Sequence, residues 1–240
     1  MSRPLFLLGW LLLLVAASGW AQVTADSIRC RLYHSYVNDR MEQWPALIRT
    51  MKSRPDTSAS WQQEIALARY GLAGYYVGNN RAADAELEIT KALAELELAQ
   101  TIYPNEAGFW GLEAGFRALQ IRMFPMKTPF FYAAHQAAMN KAQEREADDP
   151  FFRFEQGMML LHKPRLLGGD KRKALELFEQ SRAMLKAQPF STCCWFGLMV
   201  DLFRLKAYDR LNDEEAYQAL YDAITREHGS LTWLPRFLKM

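Results

Sequence analysis

Apolar side chains recur every three or four residues along most of the chain, a spacing that places them on one face of an α-helix. In the stretch after Gly168, Ala174 and Phe178 lie four residues apart and therefore share a helical face, while Lys, Glu and Gln occupy the other side. A small residue lets a neighbouring helix approach, and the aromatic residue one turn later fills the gap. The alternation typical of β-strands is nearly absent. The pattern predicts an all-α fold.

Turn signals divide this pattern into successive helices. After an N-terminal helix or split pair within residues 22–50, the predicted helices cover about residues 61–77, 81–103, 106–124, 129–147, 151–162, 171–188, 191–208 and 213–227. Asp170 can cap the sixth of these by accepting bonds from its free N–H groups. Gly169 precedes that cap, and we expect it to need a positive φ in the turn.

Prolines and glycines group the helices into pairs. In three of these pairs a proline follows the second helix of the pair, and a glycine comes seven or eight residues after that proline: Pro104 and Gly111, Pro150 and Gly157, Pro189 and Gly197. The proline stops the preceding helix, and the glycine lets the next helix press against its partner because no side chain separates them. This predicts an N-terminal helical segment and loop at residues 22–58, hairpin units at about 59–104, 105–150, 151–189 and 190–228, and a C-terminal cap at 229–240.

Two groups of residues carry a family resemblance. One follows a small–large–small–proline order and the other a turn-glycine, alanine and aromatic order: Ala92, Leu96, Ala99 and Pro104, and then Gly169, Ala174 and Phe178. Both resemble second helices of tetratricopeptide repeats, over roughly residues 61–228, although the unit spacing exceeds the usual ~34 residues. The resemblance implies a right-handed array of antiparallel helical hairpins, an α-solenoid. The loop at residues 168–171 also resembles divergent exported repeat proteins, including accessory components of substrate-binding transporters.

The first residues have the composition of a signal peptide. Arg3 supplies a positive charge, residues 5–15 form an apolar core, and small residues follow up to Ala21. The apolar run is shorter than the ~20 residues that span a bilayer as a helix. We therefore interpret residues 1–21 as a cleaved signal peptide, with an uncleaved membrane anchor as the alternative. The mature chain is expected to be exported, periplasmic in a Gram-negative bacterium and otherwise secreted, with no stable membrane span.

Three cysteines fit poorly with a disulfide framework in an exported protein. Cys193 and Cys194 are adjacent on a predicted helix, where their side chains point about 100° apart. Cys30 can pair with one of them only if the N-terminal helix folds back onto the C-terminal part. The simpler interpretation is that all three are small buried residues.

Charge and motifs argue against several classes of function. A formal net charge of +2 gives no concentrated basic surface for nucleic acid. The four histidines are scattered, and the sequence contains no recognisable zinc, calcium or nucleophile-elbow motif. We therefore expect no metal, no cofactor and no enzymatic activity.

The concave surface of such an array would be built from first-helix side chains. Candidate residues for binding a partner there are Tyr75, Trp110, Glu113, Arg117, Arg153, Gln156 and Arg204. Aromatic residues at 130–132 and 151–154 are interpreted as core between units, with a ligand groove as the alternative.

A second candidate is the basic loop, whose cations Lys171, Arg172 and Lys173 follow Gly168 and Gly169. Cations oppose the dipole at a helix N-terminus, so their placement has a small cost. With amides exposed by glycine they could hold an anion or an acidic partner segment. The alternative is a solvated turn capped by the preceding aspartate.

These features favour a non-catalytic adaptor or scaffold of the cell envelope that binds a protein or peptide. The alternative is a small-ligand-binding accessory protein of a transporter system. That alternative requires an enclosed apolar channel, which a solid core of Trp and Phe would exclude.

Overall fold

The structure is a computed structural model that describes residues 24–145, 148–188 and 191–239. Every regular element within these ranges is helical, so the all-α prediction is confirmed. The predicted signal peptide at residues 1–21 and the predicted helix stop at Pro189 lie outside the described residues. None of the described helices has the length and apolar character needed to cross a membrane.

The helices follow one another with short turns. In chain order they are α1 (Ala25–Val37), α2 (Trp44–Lys52), α3 (Ala59–Gly78), α4 (Ala82–Ile102), α5 (Ala107–Met123), α6 (Thr128–Glu144), α7 (Pro150–His162), α8 (Lys171–Ala187), α9 (Trp195–Leu211), α10 (Glu214–His228) and α11 (Leu234–Leu238). Within α3 to α10, consecutive helices pack as the pairs α3–α4, α5–α6, α7–α8 and α9–α10. Contacts of α4 with α5, α5 with α7 and α8 with α9 join each pair to the next.

Aspartate side chains begin three of these helices. Asp149 accepts a hydrogen bond from the Phe152 N–H at 2.8 Å, and Asp213 accepts one from the Ala216 N–H at 3.1 Å. Asp170 accepts from the amides of residues 172 and 173, both at 3.0 Å. Each carboxylate satisfies N–H groups that have no partner inside the helix and complements the positive end of the helix dipole. The cap predicted at Asp170 is therefore present.

In the turn before α8, the two glycines are needed for different reasons from the one predicted. Gly168, not Gly169, has the positive φ, at 88°. Gly169 is needed for space, because a Cβ there would collide with the carbonyl oxygen of Lys163. The expectation of a positive φ at Gly169 was wrong, although the turn does depend on both glycines.

The core between pairs is aromatic. Phe151 lies edge-on to Tyr70, with ring centroids 4.8 Å apart, and Phe154 contacts Phe196 at 5.3 Å. Phe151, Phe152 and Phe154 are all buried, as the interpretation of this segment as core between units requires. The other aromatic segment differs, since Phe130 is 78% exposed.

Helix α1 folds back onto α9 and the turn Ser191–Cys193. Four contacts then join α1 and the turn after it to the C-terminal part of the chain. We call these the terminal interface: the Cys30–Cys193 disulfide, the Tyr33–His228 hydrogen bond, the Trp233–Val37 hydrogen bond and the Arg236–Asp39 ion pair.

The interpretation of all three cysteines as small buried residues was wrong for Cys30 and Cys193, which form the disulfide. The return of α1 onto α9 supplies the condition that the sequence required for pairing. Cys194 is unpaired within the described ranges, and its Sγ accepts a hydrogen bond from the Gly197 N–H at 3.3 Å. Burial raises the pKa of the Cys194 thiol, so it stays protonated at neutral pH.

Candidate ligand pocket

A pocket of about 160 Å³, partly open to solvent, lies between the terminal interface and the first helices of the array. Its lining is mostly apolar and aromatic. The residues that line it are Tyr36, Asp39, Met41, Tyr70, Gly71, Gly74, Tyr75, Val77, Gly78, Asn79, Leu119, Arg122, Met158, Met199, Phe203, Trp233, Arg236 and Phe237.

The wall on the side of the terminal interface is a cluster of aromatic rings. Tyr36 of α1 lies edge-on to Trp233 and to Trp195, with centroids 5.1 and 5.7 Å apart. Trp195 in turn contacts Trp44 of α2 at 4.9 Å. Burial raises the pKa of Tyr36, so its hydroxyl stays neutral. These rings are therefore uncharged, and they come from four separated parts of the chain.

Helix α3 contributes glycines to the lining, beside its own Tyr70, Tyr75 and Val77. Gly71, Gly74 and Gly78 share one face of this helix at spacings of three and four residues. A Cβ at Gly71 would lie 2.6 Å from Trp44, so this glycine permits close packing. A Cβ at Gly74 would have nothing within 4 Å, so this glycine borders open space.

Methionine side chains complete the pocket. Met41, Met158 and Met199 come from the 3₁₀ turn after α1, from α7 and from α9. Methionine is unbranched and polarisable, and it adapts its shape to irregular apolar ligands. The pocket thus combines a rigid aromatic wall with adaptable side chains.

Charged groups border the pocket. Arg236 pairs with Asp39 at 3.3 Å, so its charge is compensated. Arg122 of α5 is also a lining residue, and Lys206 of α9 lies close to the lining. The Lys206 Nζ lies 4.3 Å from the centroid of the Phe237 ring and 5.7 Å from that of Phe203, and both rings line the pocket.

Of the candidate residues predicted on first helices, Tyr75 lines this pocket. The candidates on α5 lie on a different face of the helix from Leu119 and Arg122. Trp110 sits beneath Lys141 of α6, whose Nζ is 4.2 Å from the ring centroid. Glu113 accepts a hydrogen bond from Gln100 of α4 at 3.0 Å, and Arg117 reaches Glu113 at 3.4 Å. Trp110 and Glu113 therefore connect neighbouring helices, whereas Arg117 pairs within α5.

Of the remaining first-helix candidates, Gln156 and Arg204 also join helices. Arg153 donates to Gln156 at 3.2 Å, and Gln156 donates to Gln143 of α6 at 3.3 Å. Arg204 pairs with Asp201 at 2.9 Å and with Glu179 of α8 at 3.6 Å. The structure does not bring these residues together with Tyr75, and their role in binding remains a prediction.

The basic loop lies apart from the pocket lining. Lys171 Nζ donates to the carbonyl of Arg210 at 3.0 Å, and Lys173 pairs with Glu176 at 2.8 Å. Arg172 is exposed. The amides of Arg172 and Lys173 already bond to Asp170, so those donors are occupied.

Comparisons with known proteins support the fold and leave the pocket without an assigned ligand. No family model and no curated protein matches this sequence. A solved structure, the HusA haemophore from Porphyromonas gingivalis, is similar with a TM-score of 0.59 and 16% identity, over 78% of this chain and 94% of that chain. At this identity the likeness shows the fold alone, and the tetratricopeptide resemblance continues to rest on its own motifs.

Sequence reasoning missed the pocket residues that come from the chain ends, Tyr36, Met41, Trp233 and Phe237. Their partners lie too far along the sequence for periodicity to reveal. A signal was present in α3, where Gly71 and Gly74 lie in the helix interior and share a face with Gly78 at the helix end. Glycine is unfavourable in a helix interior, so a repeated glycine face indicates close packing or an open site.

Proposed function

We propose that this protein is an exported, non-catalytic carrier of a small apolar ligand, which binds in the pocket between the terminal interface and the array. The observation that carries the proposal is the lining itself: aromatic rings, methionines and a glycine face enclose apolar space with a few charges at its border. Ligand sites have this composition, predominantly apolar with a small number of placed polar groups. This is the alternative to an adaptor that the sequence offered, although the site is a pocket open to solvent at the border of the aromatic core and not the enclosed channel that we expected.

The pocket volume limits how the ligand sits. A cavity near 150 Å³ with an apolar lining holds a molecule of about the size of benzene. A pocket of about 160 Å³ therefore takes roughly one aromatic ring or a short aliphatic segment, and the rest of a larger ligand must project through the open side.

We infer further that the hairpins form a right-handed tetratricopeptide-like array, with the pocket on its concave side. Contacts between the first helices α3, α5 and α7 support this arrangement, as do the helix pairs. Tyr75, Leu119 and Met158 lie in the later turns of their first helices and Phe203 lies at the middle of α9, so the site would lie toward one end of the concave side.

The disulfide supports export. A disulfide that joins α1 to the turn before α9 is expected to persist in an oxidising compartment such as the periplasm or the extracellular space.

Two further observations favour a planar ligand. The similar structure is named a haemophore, which makes haem a reasonable first ligand to test. Flat aromatic walls formed by Tyr36, Tyr70 and Trp233 favour planar apolar molecules.

The test is binding of haemin and of the neutral fluorophore N-phenyl-1-naphthylamine to the mature protein. We expect saturable one-to-one binding of the fluorophore, and haemin binding if the ligand is a porphyrin. Gly74→Leu should fill the pocket and weaken fluorophore binding at least tenfold, whereas Gly74→Ala should weaken it less because one methyl group occupies little of the volume.

Thermal melts of both Gly74 variants provide the control, because neither residue would meet a neighbour at its Cβ. Unchanged fluorophore affinity in a folded Gly74→Leu protein would show that the pocket is not the site. Absence of saturable binding to the unmodified protein would overturn the carrier function and return attention to the adaptor.

A further inference from the structure

We propose that the ligand carries an anionic group, which Lys206 and Arg122 bind at the border of the pocket while its apolar part enters between the aromatic walls. This inference rests on the carrier function proposed above and names the chemical class of the ligand. The anion can be a carboxylate, a sulfonate or a phosphate, since all three accept charge-assisted hydrogen bonds from the same donors.

Lys206 is positioned for this task by its surroundings. Its ammonium group lies over Phe237 and Phe203, at 4.3 and 5.7 Å from the ring centroids. Both rings line the pocket, whereas Lys206 itself is not among the lining residues, so the charge lies next to two rings of the pocket wall. An apolar group that packs against these rings would place a substituent of its own within reach of the ammonium.

The charges around Lys206 are of the same sign. Arg122 and Arg210 are the charged residues that act on it, and His162 of α7 lies in the field of the same cations. Arg210 is held in place, because its Nη1 donates to the Leu161 carbonyl at 2.6 Å. Within the described ranges, neither Lys206 nor Arg122 forms an ion pair with a carboxylate. We call Arg122, Lys206 and Arg210 the basic rim.

Gathering like charges without an anion is unfavourable. Burial, followed by the repulsion of Arg122 and Arg210, lowers the pKa of Lys206 to about 8. An anion bound here would relieve that repulsion and raise the pKa again. The arrangement therefore has an unsatisfied preference for negative charge.

A second arginine provides an internal contrast. Arg236 also lines the pocket, but Asp39 compensates its charge at 3.3 Å. A ligand with one anionic group is therefore expected to place that group at Lys206 and Arg122 and not at the compensated Arg236.

Two fluorophores that share an apolar body separate the two parts of the site. N-Phenyl-1-naphthylamine is neutral, and 1-anilinonaphthalene-8-sulfonate adds one sulfonate. We expect Lys206→Met and Arg122→Met each to weaken binding of the sulfonate about tenfold and to change the Kd of the neutral probe less than twofold. Methionine keeps the apolar stem that covers the rings. Lys91→Met, on the exposed side of α4, is the matched control and should change neither Kd.

A titration of pH adds an independent readout. Because the pKa of Lys206 lies near 8, raising the pH from 7 to 9.5 removes its charge and should weaken sulfonate binding in the unmodified protein. The loss should be smaller in Lys206→Met. Arg122→Met serves as the second test if Lys206→Met is poorly folded by thermal melt, since Arg122 is exposed.

The outcomes distinguish the two proposals. If neither probe binds, the carrier function fails, whereas binding of the sulfonate alone, lost in both variants, would support the anionic class. If the neutral probe binds, but the sulfonate Kd is unchanged in both variants, or both probes weaken equally, the anionic class is wrong and the pocket takes a neutral ligand.

Discussion

The terminal interface joins residues that are 163 to 197 positions apart, whereas the middle hairpins are joined by pairs much closer in sequence. His135 of α6 and Glu155 of α7 are 20 residues apart and 3.0 Å from each other, and both are buried. Contacts between neighbouring hairpins, such as His135 with Glu155, need only the adjacent helices to be formed. The contacts of the terminal interface require the whole chain to be ordered, and closing them costs more loop-closure entropy.

The difference matters for function because the pocket needs both kinds of contact. Tyr75, Leu119 and Met158 come from the array, whereas Tyr36 and Trp233 come from the terminal interface. The array can be intact while the pocket lacks a wall. Ligand binding is therefore a sensitive measure of whether the ends have met, and helix content is an insensitive one.

The largest effect is expected from the disulfide. The double substitution Cys30→Ser and Cys193→Ser should lower the free energy of unfolding by roughly 2–5 kcal/mol, because the bond closes a long loop in the unfolded chain. Affinity for the neutral fluorophore should fall with it, while far-UV circular dichroism stays helical. Chemical denaturation and a binding titration measure the two effects.

The control for this prediction is Cys194→Ser. The serine hydroxyl can accept the Gly197 N–H in place of the thiol, so stability should be nearly unchanged. Reducing agent should bring the unmodified protein to the level of the double variant. An unchanged denaturation midpoint in the double variant would mean that the remaining contacts hold the interface without the bond.

A smaller effect on stability is expected at the glycine face of α3, where Gly71 is closely packed and Gly74 borders open space. Gly71→Ala should destabilise the protein by about 1–3 kcal/mol, because the added methyl would lie 2.6 Å from Trp44 and 2.7 Å from Trp195. Gly74→Ala should instead raise stability by about 0.5–1 kcal/mol, since alanine is favoured over glycine in a helix interior. Thermal or chemical unfolding of the two variants side by side tests the pair, and equal effects in both would contradict the assignment of close packing at Gly71.

Much of the array followed from the sequence, and the terminal interface did not. Periodicity predicted the helices, and the Asp170 cap was predicted from the residue type alone. Both are local properties, set within a few residues. By contrast, the Cys30–Cys193 pairing and the Tyr36–Trp233 contact depend on how the packing of all the intervening helices places the two chain ends. No local pattern in a single sequence encodes that placement.

The candidate site shows the same limit. First-helix positions were chosen because concave surfaces are built there. Tyr75 lines the candidate pocket, whereas Trp110 and Glu113 lie on a different face of α5 from its lining residues. Helical spacing defines faces relative to one another. Which face turns inward depends on packing with α4 and α6, where polar side chains such as Gln100 take part.

The smallest effect is expected at the basic loop, which belongs to the array and is remote from the terminal interface. Replacing Lys171, Arg172 and Lys173 by glutamine should change the free energy of unfolding by less than about 0.5 kcal/mol, the usual range for surface changes. The Lys173–Glu176 ion pair is half exposed and contributes little, and loss of cations at a helix N-terminus relieves an unfavourable interaction with the dipole. Chemical denaturation measures the difference.

The same variant decides between an anion site and a capped turn. An anion held by this loop would need free backbone donors, but the Asp170 carboxylate already accepts the N–H groups of residues 172 and 173 at 3.0 Å. We therefore expect the glutamine variant to bind a polyglutamate peptide no more weakly than the unmodified protein does, at low and at high salt. A loss of affinity that disappears at high salt would show instead that the three cations act as a contact surface, because screening removes the attraction between exposed charges.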